Sequence, residues 1–342
     1  MTVTQKDIAA AAGVSTTAVS FVMTGRAEEM QLSAATIRRV RAAAARLGFT
    51  ANYHARSLST GRSRTLGLIA GGDSRTLLHH FWSPVAAGVS AHACERGYSV
   101  LIVGGGADAA REFLQQKRID GLIALEYPAS ATARVPHRAP AVVIGAKVRG
   151  CASVTLDDAA GIAAAVCHLK ERGHADVLFI GRSLRGEHSP EQRLRAFAGA
   201  ARDAGIKART LCLCLPPGND RAIEWYIAHY RDELTARLKL QPATTAVICY
   251  NDNIALALYA VLGACGLRIP GDISVIGFDD MYAASTIPAL TTVSHMLPEM
   301  GAAAVDLLVG MIETKHPLRA IHVTPRLVVR ASTAAARKRR DG

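Results

Sequence analysis

Thr4-Gln5-Lys6-Asp7-Ile8-Ala9-Ala10-Ala11-Ala12-Gly13-Val14-Ser15-Thr16-Thr17-Ala18-Val19-Ser20-Phe21-Val22-Met23 opens the stretch, residues 4–58, whose reading decides the fold. Thr4 is placed to cap a first helix, and Asp7 three residues on completes a variant capping box. Ile8 and Ala12 then share one face. Gly13 ends this helix, and Ser15 caps a second that carries Ala18, Val19, Val22 and Met23. Two short helices joined by a tight glycine turn make a helix-turn-helix. Ser33 caps a third, with Ile37, Val40, Ala44 and Leu47 at helical spacing and Gly48 at its end. Caps and periodicity of this kind suit any three-helix bundle, so charge has to say what the head binds.

The chain carries a formal net charge of +12, and residues 1–64 hold half of it, with nine basic residues against three acidic ones. Lys6, Arg26, Arg38, Arg39, Arg41, Arg46, Arg56, Arg62 and Arg64 face only Asp7, Glu28 and Glu29. The tail Arg337-Lys338-Arg339-Arg340-Asp341 adds +3 and reads as a solvated basic end, residues 334–342. The body between them is close to neutral. A basic head on a nearly neutral body is the electrostatic footprint of a protein that neutralises phosphates.

With 342 residues the chain exceeds one compact core and calls for two or three domains. From Thr65 onward the apolar runs 66–70, 100–103, 122–125 and 141–144 are short and continuous, as strands buried on both faces are. Helical patterns at 83–96 and 109–117 fill the gaps. A second series comes after them, with strands near 177–180, 209–213, 246–250 and 274–278 and helices near 159–171, 191–204, 221–238 and 253–265. Two α/β halves in series imply a bilobed body with a cleft at the carboxyl ends of its strands. No apolar run has membrane-spanning length and no charged-then-apolar leader opens the chain, so a cytoplasmic protein without membrane contact is expected. Seven scattered cysteines with no Cys-x-x-Cys pair read as thiols in a reducing compartment, and no metal site is expected.

These words also resemble a known family. Asp7-Ile8-Ala9, Ala12-Gly13-Val14-Ser15, Ala18-Val19-Ser20, Ser33, Leu47-Gly48-Phe49, Asn52, Ala55-Arg56-Ser57-Leu58 and, far downstream, Arg330-Ala331-Ser332-Thr333 are similar to the lactose/galactose repressor family of bacterial transcription regulators. The resemblance implies an all-α helix-turn-helix head, residues 1–49, and a hinge, 50–62, on a periplasmic-binding-protein-like body of two parallel-sheet subdomains. The first subdomain would comprise 63–156 and 297–321, the second 157–296 and 322–333. Helix 298–312 would return to the first lobe. Function would be a homodimeric, sequence-specific repressor of near-palindromic double-stranded DNA, controlled by a carbohydrate-like effector between the lobes, without cofactor or catalysis.

On the same resemblance the second helix enters the major groove with Thr16 and Thr17 at base edges, while Ser15 and Ser20 bond phosphates. Thr4, Phe21, Ser33 and Ala55 complete the DNA-facing set. Asn52 caps a hinge helix, and Leu58 is the apolar wedge of the minor groove. Effector contacts fall on Phe81, Trp82, Arg193, Asn251, Asp279 and His295: an aromatic face for a sugar ring, a guanidinium and a carboxylate for hydroxyls, and an amide that donates and accepts. Glu187, where purine-binding members carry a cation, favours a sugar over a nucleobase. Three departures make the operator its own. Phe21 stands where Arg is common, Ala18 and Thr24 where Thr and Asn are usual, and the loop 26–32 is about two residues longer than the family pattern.

Two other classes share parts of the pattern. An exported sugar-binding protein has the bilobed body but no basic head. A nicotinamide-dependent enzyme would need Gly104-Gly105-Gly106-Ala107-Asp108-Ala109 as its dinucleotide loop, but that run comes after the second strand of its lobe, whereas the fingerprint belongs to the first strand–helix turn.

Overall fold

Local caps and apolar periodicity become a three-helix head followed by two sheets in a computed structural model of the chain. It describes residues 3–49, 57, 60–70, 82–125, 139–148, 150–183, 189–214, 223–240, 243–314 and 319–337. In the head, α1 (Gln5–Ala12), α2 (Thr16–Met23) and α3 (Ala34–Arg46) pack around Ile8, Val19, Val22, Val40 and Ala44. Ser15 Oγ accepts the Ala18 N–H at 3.1 Å and Ser33 Oγ the Thr36 N–H at 3.2 Å, so both serines cap as their positions predict. At Thr4 the box closes through Asp7, whose carboxylate accepts the Thr4 N–H and the Thr4 hydroxyl at 2.8 Å each. Those two donors hold Asp7 below the usual carboxylate range. Gly13 turns the chain with a φ of 63°, which a side chain would resist. The long loop after α2 folds into a 3-10 turn, Ala27–Met30, that buries Ala27 in the head.

The first lobe is one parallel sheet of β1 (Thr65–Ala70), β2 (Ser99–Ile102), β3 (Gly121–Leu125), β4 (Ala141–Ile144), β5 (Ala152–Leu156) and β11 (Ala320–Val323). Its spatial order is β2-β1-β3-β4-β5-β11. The second lobe repeats the order with β6 (Asp176–Ser183), β7 (Lys207–Cys214), β8 (Ala246–Cys249), β9 (Ser274–Asp279) and β10 (Thr291–Ser294), as β7-β6-β8-β9-β10. A short β12 (Arg326–Val328) closes its edge antiparallel to β10. In each lobe the order reverses at one place, between β1 and β3 and between β6 and β8. Such a switch point is where an open α/β sheet binds its ligands, outside the carboxyl ends of the strands.

β5, β10, β11 and β12 lie outside the strand runs expected from sequence. β10 is Thr-Thr-Val-Ser, polar where a two-face-buried strand should be apolar. Thr291 and Thr292 are nonetheless fully buried, because the Thr291 N–H donates to Ser332 Oγ at 2.7 Å and the Thr292 hydroxyl to Asp252 at 2.6 Å. β11 keeps the chain on the first sheet through Val323, two residues past the expected boundary at 321–322.

In the first lobe α4 (Trp82–Glu95) and α10 (Leu297–Thr314) pack against each other on the sheet, and α5 (Gly106–Gln115) comes after β2. In the second lobe α6 (Asp158–Glu171), α7 (Ser189–Asp203), α8 (Ile223–Leu240) and α9 (Asp252–Ala264) intersperse the strands. The end of the chain runs along this lobe. Ser332 exchanges hydrogen bonds with Val275, accepting at its carbonyl at 2.9 Å and donating from its hydroxyl at 2.6 Å. Two histidines fasten Thr333 and Ala334. His174 Nε2 donates to the Ala334 carbonyl at 3.1 Å while Nδ1 shares a hydrogen bond with the Thr245 hydroxyl at 2.8 Å, and His168 Nδ1 accepts from Arg172 at 3.2 Å while Nε2 donates to Thr333 at 2.9 Å.

The Arg172 donor requires a bare Nδ1 on His168, and burial lowers the pKa values of both rings, helped by the Arg172 charge. The native state therefore binds fewer protons than the unfolded chain once pH drops below about 6.5. Stability from this seam is complete above that pH and falls as pH falls through the native values. Denaturant melts at pH 8 and pH 5 should show a loss at pH 5 that His174→Gln makes smaller; an equal loss in the variant would remove His174 from the account.

Candidate functional site

Arg193 on α7 is a buried hub at the carboxyl ends of the second lobe's strands. It is only 4% exposed, and each part of its guanidinium has a partner from a different element. Nε donates to Asp158 Oδ1 at 2.8 Å, and Nη1 donates to the Tyr250 carbonyl at 2.6 Å and stands 3.9 Å from Asp279 Oδ1. Nη2 lies 3.2 Å from His295 Nε2. The cation also lies over two aromatic rings, 3.7 Å from the Phe278 centroid and 4.5 Å from that of Tyr250. Burial by itself would favour loss of the proton; the Asp158 and Asp279 charges outweigh it and hold the guanidinium more firmly protonated than in water.

These groups meet because each lies at or just past a strand's carboxyl end. Tyr250 and Asn251 come after β8, Asp279 ends β9 and His295 comes after β10. At Asp279 and Asp280 the backbone takes φ values of 121° and 61°, in the region that non-glycine residues rarely enter. That double turn parts the two carboxylates. Asp279 Oδ1 comes within 3.0 Å of His295 Nε2, while Asp280 accepts from Arg330 at 2.7 Å. Arginine only donates and carboxylate only accepts, so His295 Nε2 serves one neighbour at a time: protonated toward Asp279, bare toward Arg193. Phe278 backs the histidine edge-on, with centroids 5.0 Å apart.

Asn251 caps α9, its Oδ1 accepting the Ile254 N–H at 3.0 Å. One lone pair of that oxygen is engaged within the protein, and the second lone pair and the amide NH2 remain as hydrogen-bonding capacity. Next to it Asp252 accepts from the Thr292 hydroxyl at 2.6 Å and the Met281 N–H at 3.0 Å. Burial, with the Asp279 charge nearby, pushes its pKa up to about 7. Trp82 is 3% exposed and packs in the first-lobe core with Val85, Val89 and Met300, as a core tryptophan at the start of a helix does. Phe81 and Glu187 lie outside the described residues. Asp158, Tyr250, Asp252 and Phe278 are functional neighbours that the sequence patterns do not single out. The one available sign was Asp157-Asp158 opening a helix, where acids are ordinary caps.

On the head, α2 turns Ala18, Val19 and Val22 inward and leaves Thr16, Thr17, Ser20 and Phe21 on the other side. Ser15 uses its oxygen as the cap, which leaves its hydroxyl proton to donate. Thr4 and Ser33 sit exposed at the starts of α1 and α3, and Arg38, Arg39, Arg41 and Arg46 are exposed on α3. Asn52, Ala55 and Leu58 lie outside the described residues. The glycine run Gly104-Gly105-Gly106 comes after β2, an edge strand, one strand away from the switch point at which a dinucleotide loop would sit. Among the described residues no His, Cys, Asp or Glu cluster is arranged to hold a metal ion, and no helix is long and apolar enough to cross a membrane.

Comparison with known proteins gives the same two-part division. A model of bacterial regulatory proteins, lacI family, matches residues 4–52, and a model of the periplasmic binding protein-like domain matches 166–333. The ribose operon repressor of Escherichia coli (strain K12) is 30% identical over 344 residues, covering 96% of this chain and 99% of the relative. The HTH-type transcriptional repressor PurR of Vibrio atlanticus (strain LGP32) is 29% identical over 342 residues, covering 96% and 98%. Among solved structures, a lac repressor dimer bound to operator and the anti-inducer ONPF superposes with a TM-score of 0.71 at 25% identity, covering 98% of this chain and all of that one. The transcriptional regulator CelR in complex with cellobiose gives 0.63 at 25% identity, covering 96% and 99%.

Proposed function

The chain belongs to the lacI family of bacterial regulatory proteins, and from that premise we propose that it is a cytoplasmic, homodimeric transcriptional repressor switched by a sugar-like effector. Two heads related by the dimer's two-fold axis read the half-sites of a near-palindromic operator. Thr16, Thr17 and Phe21 face base edges, while Ser15, Ser20, Thr4, Ser33 and the exposed arginines of α3 hold phosphates. Asn52, Ala55 and Leu58 form the hinge that reaches the minor groove. The body divides as the two sheets do, and the effector lies between them against Asp279, Asn251, His295 and the Arg193 hub, with Phe81 as the aromatic contact of the other lobe and Trp82 kept in that lobe's core.

The observation that carries this reading is the convergence of Arg193, Asn251, Asp279 and His295 at the carboxyl ends of β8, β9 and β10 in one sheet, on a chain whose head matches a DNA-binding family. Fixed carboxylates and an amide NH2 beside buried aromatic rings suit vicinal hydroxyls, which donate and accept at once. A ribose operon repressor and a cellobiose-bound regulator among the relatives favour a carbohydrate over a purine. Effector and operator then communicate through the arrangement of the lobes, a coupling of about 1–3 kcal/mol that is reciprocal.

The test has two arms. Duplexes selected from a randomised pool should bind with a steep salt dependence, losing about 10³-fold or more between 50 and 200 mM salt for six or more phosphate contacts. A thermal-shift screen of sugars and nucleosides should find a sugar that changes operator affinity, and Asp279→Ala should abolish that response while the dimer still binds DNA. A flat salt dependence would remove DNA as the partner; a response that survives Asp279→Ala would move the effector elsewhere.

A further inference from the structure

The outward side of α2 has an unusual chemistry for a helix that reads bases. Thr16, Thr17, Ser20 and Phe21 offer hydroxyls, methyls and an aryl ring, and none carries the paired donors or donor–acceptor fork that grips guanine or adenine through two hydrogen bonds. Phe21 is half-buried, yet it is absent from the head core, whose margin takes Val14, Met23, Leu32, Ile37 and Phe49. Its ring is braced from one side. The Arg26 guanidinium carbon stands 5.3 Å from the ring centroid. Glu29 fixes that guanidinium with three contacts, Nε to Oε1 at 2.8 Å, Nε to Oε2 at 3.0 Å and Nη2 to Oε2 at 2.6 Å. Glu29 stands there because the long loop folds as the 3-10 turn Ala27–Met30. A guanidinium neutralised this way is a poorer phosphate ligand than the exposed arginines of α3. Phe21 and the long loop, separate oddities in the sequence, are one assembly in space.

We infer that Phe21, positioned by the Arg26–Glu29 pair, reads the operator by apolar contact with the 5-methyl group of a thymine. The inference rests on the DNA-binding reading above. A thymine methyl is the one apolar handle in the major groove, and an aryl ring on the groove-facing side of α2 has no polar base edge to satisfy. Burying one methyl is worth about fourfold in affinity.

The experiment uses the full-length protein and duplexes selected by it from a randomised palindromic pool. Each symmetric pair of selected thymines is replaced by deoxyuridine, which removes only the methyl, and affinity is read by fluorescence anisotropy. One pair should weaken binding by about fourfold per half-site. Phe21→Ala should bind more weakly and become indifferent to that replacement, and Phe21→Arg, put through selection again, should enrich guanine there. Glu29→Gln, at an exposed position, should reduce the deoxyuridine effect without changing thermal unfolding of the head, a result that a purely structural ion pair would not give. Deoxyuridine insensitivity at every position, or an unchanged sensitivity in Phe21→Ala, overturns the inference while leaving DNA binding intact. Failure to select any duplex, with binding flat in salt, overturns the DNA reading itself.

Discussion

Arg193→Leu is expected to destabilise the second lobe by about 3–5 kcal/mol, the cost of leaving buried carboxylates without their cation. Asp158 is bonded to the guanidinium at 2.8 Å and Asp279 lies 3.9 Å from it, and both side chains are mostly removed from water. Leucine also cannot give Tyr250 the N–H its carbonyl accepts at 2.6 Å. Arg193→Lys should recover little, because a point charge with a flexible stem cannot bond Asp158 and the Tyr250 carbonyl along diverging directions while also lying over two rings. Adding Asp158→Asn to Arg193→Leu should recover part of the loss, since one stranded charge is then gone. Chemical denaturation of the three variants measures this. A loss below about 1 kcal/mol in Arg193→Leu would mean that the charges are screened by water and that the hub holds nothing together.

Gly88→Ala should cost about 3 kcal/mol or more and lower the melting temperature by roughly 6–12 °C for a lobe of this size. A Cβ on Gly88 of α4 would lie 2.2 Å from the carbonyl oxygen of Pro298 and 2.7 Å from its carbonyl carbon and Cα, all backbone of α10. No rotamer relieves this. The helices must separate by about an ångström, which loosens Val85, Val89, Met300 and Ala304 together. Gly301, on the opposite helix, is in the same position, its Cβ falling 2.4 Å from the Val85 carbonyl. Gly301→Ala should match the loss, and the double variant should lose less than the two separately, because one separation accommodates both methyls. Additive losses in calorimetry would mean that each glycine is independent and that no shared helix contact exists.

The head was legible almost residue by residue. Ser15 and Ser33 cap the helices their positions predict, and the apolar spacing selects Ile8, Val19, Val22 and Val40 for the core. These features rest on hydrogen bonds and contacts between residues three or four apart, so the information is local. Apolar runs such as Leu122–Leu125 announced the parallel sheets in the same way. β10 was illegible because its buried threonines are satisfied by Asp252 and by the end of the chain, partners that no local pattern names. Asn251 could be named as a ligand contact, but only the start of α9 shows that its oxygen is already engaged.

The sequence alone therefore determined the three helices of the head, most strands and helices of the two lobes, and the family words that single out Arg193, Asn251, Asp279 and His295. Tertiary structure decided what those residues do. It brought Asp158, Tyr250, Phe278 and Asp279 onto one guanidinium, placed Trp82 in a core, and laid Arg26 against Phe21. The order of strands in a sheet, and the fold of one loop beside a helix, set these neighbours, and both arise from contacts between residues far apart in the chain or from turns that no period announces.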